Sequence, residues 1–281
     1  VKPIVSKTEQ EIFKALGMPD IPPELREDHP GWMAAPAKNL VTAADIKAEL
    51  HAHTTASDGR MTIVELAEAA KARGFHTIAV TDHSKSSAIA GGLSVEKLEQ
   101  HIEAVHAARK QVKGITILAG SEVDILVDGK LDYPESVLKM LDVVVASPHA
   151  SLKQDEATAT KRLLRAIESR RVNVLGHPTG RLIGQREGFT IDIRAVAKSA
   201  AKNNVALEIN ANWRRLDLRD THVRAALDEG ALIAIDCDVH EEVDFDELRF
   251  GVTTGRRGGL TTERCVNCWT GEKLMKWLRK P

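Results

Sequence analysis

Residues 49–59 read ELHAHTTASDG, and the placement of the two histidines in this stretch decides the fold. An apolar run over residues 46–51 stops at His51, and Asp58 closes the segment. Alternate residues of a strand face the same side, so His51 and His53 can both point into one mouth. The same punctuation recurs along the chain. His83 ends TIAVTDH, Glu122 follows ITILAG, His149 ends VVVASPH and His177 lies in VNVLGHP. Asp238 and His240 end LIAIDCDVH. Imidazoles and carboxylates are ligands for divalent ions such as Zn²⁺, Mn²⁺ and Fe²⁺. Six histidines and three acids at strand ends are too many for one ion, which points to a multinuclear metal hydrolase.

Outward from this stretch, short β-branched runs alternate with helical patterns. Strands are expected at 46–51, 77–81, 115–119, 143–146, 172–175, 205–209 and 232–235. Their nearly continuous apolar character marks buried parallel strands. Helices are expected at 62–73, 94–112, 155–170, 191–203, 217–229 and 261–278, with Ser94 and Thr261 as N-caps lacking a full capping box. The Asp-Gly in VDGK, residues 127–130, signals a small hairpin. Seven βα units argue for an α/β fold closed as a barrel. In such barrels chemistry sits at the C-terminal strand ends, where all nine candidate ligands fall. The sixth strand delivers Glu208, Asn210 and Asn212 there instead. The other five histidines, His29, His76, His101, His106 and His222, lie before a strand, on helices or in the N-terminal region, and read as ordinary core or surface residues.

Residues 1–45 read as an extension: a short amphipathic helix over 8–16, then the proline- and acid-rich strap MPDIPPELREDHPGW. Residues 46–281 form the barrel. Val rather than Met at position 1 suggests a fragment or a processed chain. The 281 residues suit a single α/β barrel, and 43% hydrophobic and 28% charged residues are ordinary for a globular protein. A net charge of −1 announces neither nucleic acid nor membrane, although bound dications would make one cleft locally positive. No apolar run reaches the roughly 18–20 residues that cross a bilayer. The absence of a signal peptide makes cytoplasm the expected compartment. Three cysteines give no disulfide framework. Cys265 and Cys268 form a lone C-x₂-C, read as two thiols buried by a helix, and Cys237 as a small core residue.

The motifs HAHTTASDG, AVTDHS, GSEVDI, SPH, GHP and DCDVH resemble those of the PHP (polymerase and histidinol phosphatase) superfamily. The resemblance implies a distorted (βα)₇, TIM-like barrel with a trinuclear centre. His51, His53, Glu122 and Asp238 would hold one metal. Glu122 would bridge to a second metal held with His149 and His177. Asp58, His83 and His240 would hold the third. Two departures are mild: Glu49 stands where an Asp is usual, and DCDVH replaces TDAH. Outside these motifs, IFKALGMPDIPPELRE, GHPTGRLIGQREG, EINANWRRLDLRD and RFGVTTGRRGGLT resemble the C-terminal PHP region of family X DNA polymerases. No segment for a nucleotide palm is expected here, so the chain should not polymerise DNA alone.

These readings lead to metal-assisted hydrolysis of a phosphate ester. Two to three divalent ions would supply a hydroxide nucleophile, so no side chain need be catalytic by itself. Ser84 and Ser147 are read as structural, and Glu208 and Asn210 as groups that orient ligands. Candidates for the substrate phosphates are Arg181, which follows HPTG directly and is favoured, and Lys85, Lys153, Arg186, Arg214 and Arg215. Trp213 either stacks on a base or packs under the strap. The leading expectation is a 3′–5′ exonuclease or 3′-end phosphodiesterase that acts on DNA 3′ ends in repair, with a polymerase domain as a partner in a parent chain. The alternative is a small-molecule phosphatase of the histidinol phosphatase type. An amidohydrolase lacks its strand-end lysine here, and a non-catalytic scaffold would not need nine intact ligands.

Overall fold

Seven parallel strands follow one another in space in chain order. The computed structural model describes residues 7–26 and 38–279. Its elements are α1 (Glu9–Ala15), β1 (Ala48–Glu49), α2 (Ile63–Ala72), β2 (Thr77–Val80), α3 (Val95–Gln111), β3 (Thr116–Asp124), α4 (Glu135–Leu138) and β4 (Val143–Ser147). Then come α5 (Glu156–Ile167), β5 (Val174–Leu175), α6 (Ile193–Asn203), β6 (Ala206–Asn210), α7 (Asp220–Asp228), β7 (Leu232–Asp236), α8 (Leu248–Arg257) and α9 (Gly271–Leu278). The result is the expected barrel of seven parallel strands, nearly closed, with helices between them.

Two apolar layers hold it together. Inward-facing Ala48, Leu50, Ala79, Leu118, Val143, Val145, Val174, Ala206 and Ala234 fill the barrel with small and branched side chains. Trp269 and Trp277 close its floor, edge to face at 6.0 Å between ring centres. The outward residues, among them Ile78, Ile117, Val144, Leu175, Leu207 and Ile233, pack against Leu66, Ile102, Leu163 and Val196 of the helices.

The seam between β1 and β7 is closed mainly by side chains. Backbone pairing there is confined to the top, where His53 N donates to Val239 O at 2.7 Å and Val239 N to His51 O at 3.1 Å. Below it, Leu50 N donates to Asp236 Oδ1 at 2.8 Å, and Cys237 N to Glu49 Oε2 at 3.0 Å. A 3₁₀ turn, Val266–Cys268, occupies the gap. Its Asn267 Oδ1 accepts from Ile235 N at 2.9 Å, and its Nδ2 donates to Ala48 O at 3.0 Å and Asp236 Oδ1 at 2.8 Å. Glu49 and Asp236 meet fully buried in this seam, and burial with each other's charge pushes the Glu49 carboxyl well up. These bonds explain why β1 is two residues long where six are expected.

Other expectations change for local reasons. β3 runs to Asp124, five residues past its expected end, because it changes partner at Gly120, pairing with β2 up to Ala119 and with β4 thereafter. A Cβ on Gly120 would meet Val143 Cγ1 at 2.6 Å. The helix expected at 217–229 starts only at Asp220, because the buried Asp217 carboxylate accepts from Thr179 N at 2.9 Å. The expected helix 261–278 is two elements, the seam turn and α9, which Thr270 caps through Lys273 N. Thr261 therefore caps no helix and bridges to Leu40. Cys265 is buried and Cys268 half-buried in the seam turn rather than in a helix. α8 was not expected at all. Thr62 forms a full capping box with Glu65, whereas Ser94 caps α3 alone through Lys97 N. The hairpin at 127–130 is present, with Leu126 N bonded to Lys130 O at 2.8 Å and Gly129 at φ +84°. In the extension, Thr8 caps α1, and Ile21, Leu25 and Leu40 form a small cluster. Residues 27–37, with His29 and the end of the strap, lie outside the described residues.

Candidate metal centre

The loops at the C-terminal ends of the strands bring the six histidines and three acids together. His51 and His53 leave β1 on one face, and both are fully buried. Glu122, on the extended part of β3, stands at the centre. Its carboxylate lies 3.3 Å from His51 Nε2, 3.6 Å from His53 Nε2, 2.8 Å from His83 Nδ1, 3.2 Å from His149 Nε2 and 2.8 Å from His177 Nε2. Asp238 Oδ1 is 3.0 Å from His53 Nε2 and 3.5 Å from His51 Nε2. Asp58 Oδ2 is 3.4 Å from His83 Nε2 and 3.3 Å from His240 Nε2.

The donors fall into four overlapping groups of ligand atoms within 4.8 Å: His51, His53 and Asp238; His51, Glu122 and His177; His83, Glu122 and His149; and His53, Asp58, His83 and His240. Buried His51 Nε2, His53 Nδ1 and Nε2, His83 Nδ1 and Glu122 Oε2 have no hydrogen-bond partner of adequate geometry. Buried polar atoms are seldom left so, and here they converge on one another. The donor set is therefore chemically suited to divalent metal ions.

Electrostatics supports this. Burial would raise Glu122, but the imidazoles of His149, His51 and His83 hold it well below the usual carboxylate range. Burial would lower His83, but Glu122 and Asp58 outweigh it and hold the ring up at about 10. Against the same burial penalty, Glu122 and Asp124 hold His149 at about 9, and Asp58 and Asp238 hold His240 at about 9. His53, buried and facing His83, falls to about 4, and His177, buried and near Arg215, to about 3. Against the same burial penalty, Asp238, Glu122 and Glu208 hold His51 well up too, so protons on four imidazoles offset the buried carboxylates.

The groups behind these donors are equally ordered. Glu208 Oε1 holds His51 Nδ1 at 2.7 Å, and its Oε2 accepts from His177 N. Asn210 Nδ2 donates to Asp238 Oδ2 at 3.0 Å. Ser84 Oγ accepts from Asp124 N at 2.9 Å, and Ser147 is buried beside Gly176. His177 and Asp238 adopt positive φ, +22° and +55°, uncommon for such residues and concentrated at functional sites.

Sequence reasoning missed three supports. Asp124 Oδ1 holds His149 Nδ1 at 2.8 Å, and Ser87 Oγ donates to Asp124 Oδ2 at 2.6 Å. Its signal was legible, since Asp124 lies two residues past Glu122 on the same strand face. Asp82, buried, accepts from Thr54 N at 2.9 Å and Ser57 N at 3.1 Å, so it shapes the loop that carries His53 and Asp58. His101 Nε2 on α3 lies 2.8 Å from Asp82 Oδ2, and nothing in a helical pattern marks it. His76 is structural, between Thr77 Oγ1 and Trp269 O.

The basic candidates separate. The cleft over the centre, about 720 Å³, is lined by Arg215 and Arg162. Arg215 Nε lies 3.7 Å from Asp238 Oδ2. Arg181, the favoured candidate, is placed elsewhere. Its Nε donates to Arg215 O at 2.9 Å and its guanidinium also to Leu216 O, so it fixes the loop that presents Arg215. It lines a separate cavity with Asp217, Arg219 and His222. Arg186 donates to Gly180 O at 2.8 Å, and Arg214 stacks on Trp213 at 5.0 Å. Lys85 and Lys153 are exposed and do not line the cleft.

A family model of the PHP domain matches residues 49–212. The chain belongs to the PHP domain family. It is 39% identical over 274 residues to the DNA polymerase/3′-5′ exonuclease PolX of Bacillus subtilis (strain 168), covering 97% of this chain and 48% of that protein. The chain thus spans about half the length of that relative. It is 34% identical over 234 residues to a probable phosphatase of Aeromonas hydrophila, covering 78% of this chain and 88% of that one. Histidinol phosphate phosphatase from Lactococcus lactis, solved with zinc, L-histidinol and phosphate, shares the fold at a TM-score of 0.51 and 16% identity, over 75% of this chain and 94% of that chain. The family and the donor set make this PHP protein a metal-dependent phosphoesterase. Among the described residues no helix is long and apolar enough to cross a membrane.

Proposed function

We propose that this PHP chain is a 3′–5′ exonuclease or 3′-end phosphodiesterase acting on DNA in repair. It would work in the cytoplasm as the PHP part of a family X DNA polymerase or as a stand-alone relative. The observation that carries this reading is the reach of the likeness to PolX. It spans 97% of the chain, far beyond the 164 residues of the family match at 49–212, and so includes segments that supply no metal donor.

In this reading two to three ions of Mn²⁺, Zn²⁺ or Fe²⁺ occupy the cluster. His51, His53, Glu122 and Asp238 hold one, Glu122 with His149 and His177 a second, and Asp58, His83 and His240 a third. When bound, such ions activate water near neutral pH and neutralise charge on the phosphoryl oxygens. The chain's own residues orient and exclude. Glu208 and Asp124 would accept the Nδ1 protons of His51 and His149 when a metal is bound, which leaves Nε2 of each to ligate. Arg215, held by Arg181, places a guanidinium over the cleft, where it can take a phosphate oxygen.

The second reading, a small-molecule phosphatase, is favoured by the likeness to probable phosphatases, one of which is matched over 88% of its length. One experiment separates the two. The chain with Mn²⁺ is given a 5′-labelled, 3′-recessed oligonucleotide, and separately histidinol phosphate. Shortening from the 3′ end that chelator abolishes supports the exonuclease. Phosphate release without shortening overturns it in favour of the phosphatase.

A further inference from the structure

The rim of the cleft carries apolar surface that the metal chemistry does not use. Of the eight large hydrophobic side chains exposed among the described residues, Ile89 and Val127 line the cleft, and Ile183, Trp213 and Val243 lie on other segments that follow strands at the same end. Trp213 is the largest of them, 53% exposed.

The loop that bears Trp213 is locked. Arg214 N donates to Asn212 Oδ1 at 3.0 Å, and Arg215 N to Asn212 O at 2.7 Å. Arg214 O accepts from Ile183 N at 2.6 Å. Arg181 clamps Arg215 O and Leu216 O from the other side. An exposed indole on a mobile loop needs no explanation, but one on a backbone fixed from both flanks is presented. Arg214 stacks on its ring, 5.0 Å from the centre, and exposed Ile183 is bonded to the same loop.

Charge around the platform points to phosphates. Arg215 lies two residues on, at most about 7 Å along an extended chain, and lines the cleft. The turn Leu182–Arg186, whose Ile183 N bonds to Arg214 O, brings Arg186 to the same loop, and the Arg215 charge there helps depress it. Two guanidiniums that resist each other's charge are relieved by an anion between them. A π-face beside a cationic track is the general solution for binding a single strand without base readout.

We propose that Trp213, with Arg214 and Ile183, forms a nucleobase subsite adjoining the metal cleft. The substrate it selects is a single-stranded nucleic-acid end, whose base stacks on the indole while Arg215 and Arg186 take its phosphates. This subsite rests on the phosphodiesterase reading above and specifies the substrate class for it.

The test uses the full chain without metal and two fluorescein-labelled oligonucleotides that differ only in an abasic 3′-terminal nucleotide. Binding is read by anisotropy, so no turnover is needed. The wild type should bind the base-bearing end about tenfold more tightly than the abasic one. Trp213→Ala should bind both alike, and Trp213→Phe should keep most of the preference. A Trp213→Ala variant that retains the preference, or that weakens both oligonucleotides equally, overturns the subsite. If the wild type binds neither oligonucleotide but hydrolyses histidinol phosphate once loaded with Mn²⁺, the phosphodiesterase reading itself has failed, and the subsite falls with it.

Discussion

Replacing Glu208 by Gln changes one atom of a fully buried side chain and tests how the centre is organised. Both carboxylate oxygens are in use: Oε1 holds His51 Nδ1 at 2.7 Å and Oε2 accepts from His177 N. A glutamine offers one acceptor and one NH₂ group. If its oxygen keeps the His177 backbone, its NH₂ faces His51 Nδ1. That nitrogen must then accept, which moves the ring proton to Nε2. Nε2 is the atom 3.3 Å from Glu122 and 3.5 Å from Asp238, so the nitrogen needed for a metal becomes blocked. If the amide turns the other way, the buried His177 N–H loses its acceptor, which costs about 1–3 kcal/mol. Loss of such a supporting carboxylate typically weakens metal affinity by about 10–100-fold, or about 1.4–2.7 kcal/mol. Titrating chelator-stripped wild type and Glu208→Gln with Mn²⁺ against a competing metal dye measures this directly. An unchanged affinity, in a variant whose circular dichroism is native, would refute the claim that Glu208 sets the His51 tautomer.

Four further predictions concern the protonation of the centre and the frame around it. In the metal-free chain His83 titrates at about 10 and His149 and His240 at about 9, above the ordinary 6.5. Their raised values stabilise the fold fully below pH 6.5, and that stability is lost as pH rises through about 9–10, so the melting temperature of stripped protein should fall over this range. Metal loading near pH 7.5 should then release protons from these three rings and from His51, visible in calorimetry in buffers of different ionisation enthalpy; a buffer-independent heat contradicts this. Asn267→Ala removes the three seam bonds and strands Ile235 N in the core, and should cost about 3 kcal/mol in denaturant unfolding. Gly120→Ala drives a Cβ to 2.6 Å from Val143 Cγ1 at the strand switch and should cost about 1–3 kcal/mol in the same assay.

The donors were legible because strand alternation and barrel topology are strong local rules. A histidine just past an apolar run can point nowhere but the mouth. The seam was not legible, because side chains rather than backbone periodicity build it. Asn267, 31 residues from Asp236 and 219 from Ala48, has no pattern to announce it. α8 was hidden by its own composition, since LRFGVTTGRR holds two glycines and two threonines, poor helix formers. Those glycines are what lets it dock: a Cβ on Gly251 would lie 2.7 Å from Ala211 Cβ, and one on Gly255 3.0 Å from Leu260 Cδ2. Arg181 shows the limit of adjacency as a guide. It follows the His177 motif directly, yet a buried Asp217 and two carbonyls turn it to loop support, while Arg215, a candidate given no preference over its neighbours in sequence, reaches the cleft.

Whether the converging imidazoles and carboxylates hold the ions on which phosphoester hydrolysis depends is read from metal content by mass spectrometry alongside hydrolysis of a 3′-recessed oligonucleotide and of histidinol phosphate, for the wild type and His53→Ala. His53 belongs to two of the four donor groups, so its loss should lower the bound ions and abolish turnover of both substrates with the fold intact. The wild-type chain should hold two to three ions, with activity lost to chelator and restored by Mn²⁺. Hydrolysis that survives metal removal, or that persists in His53→Ala, would contradict it.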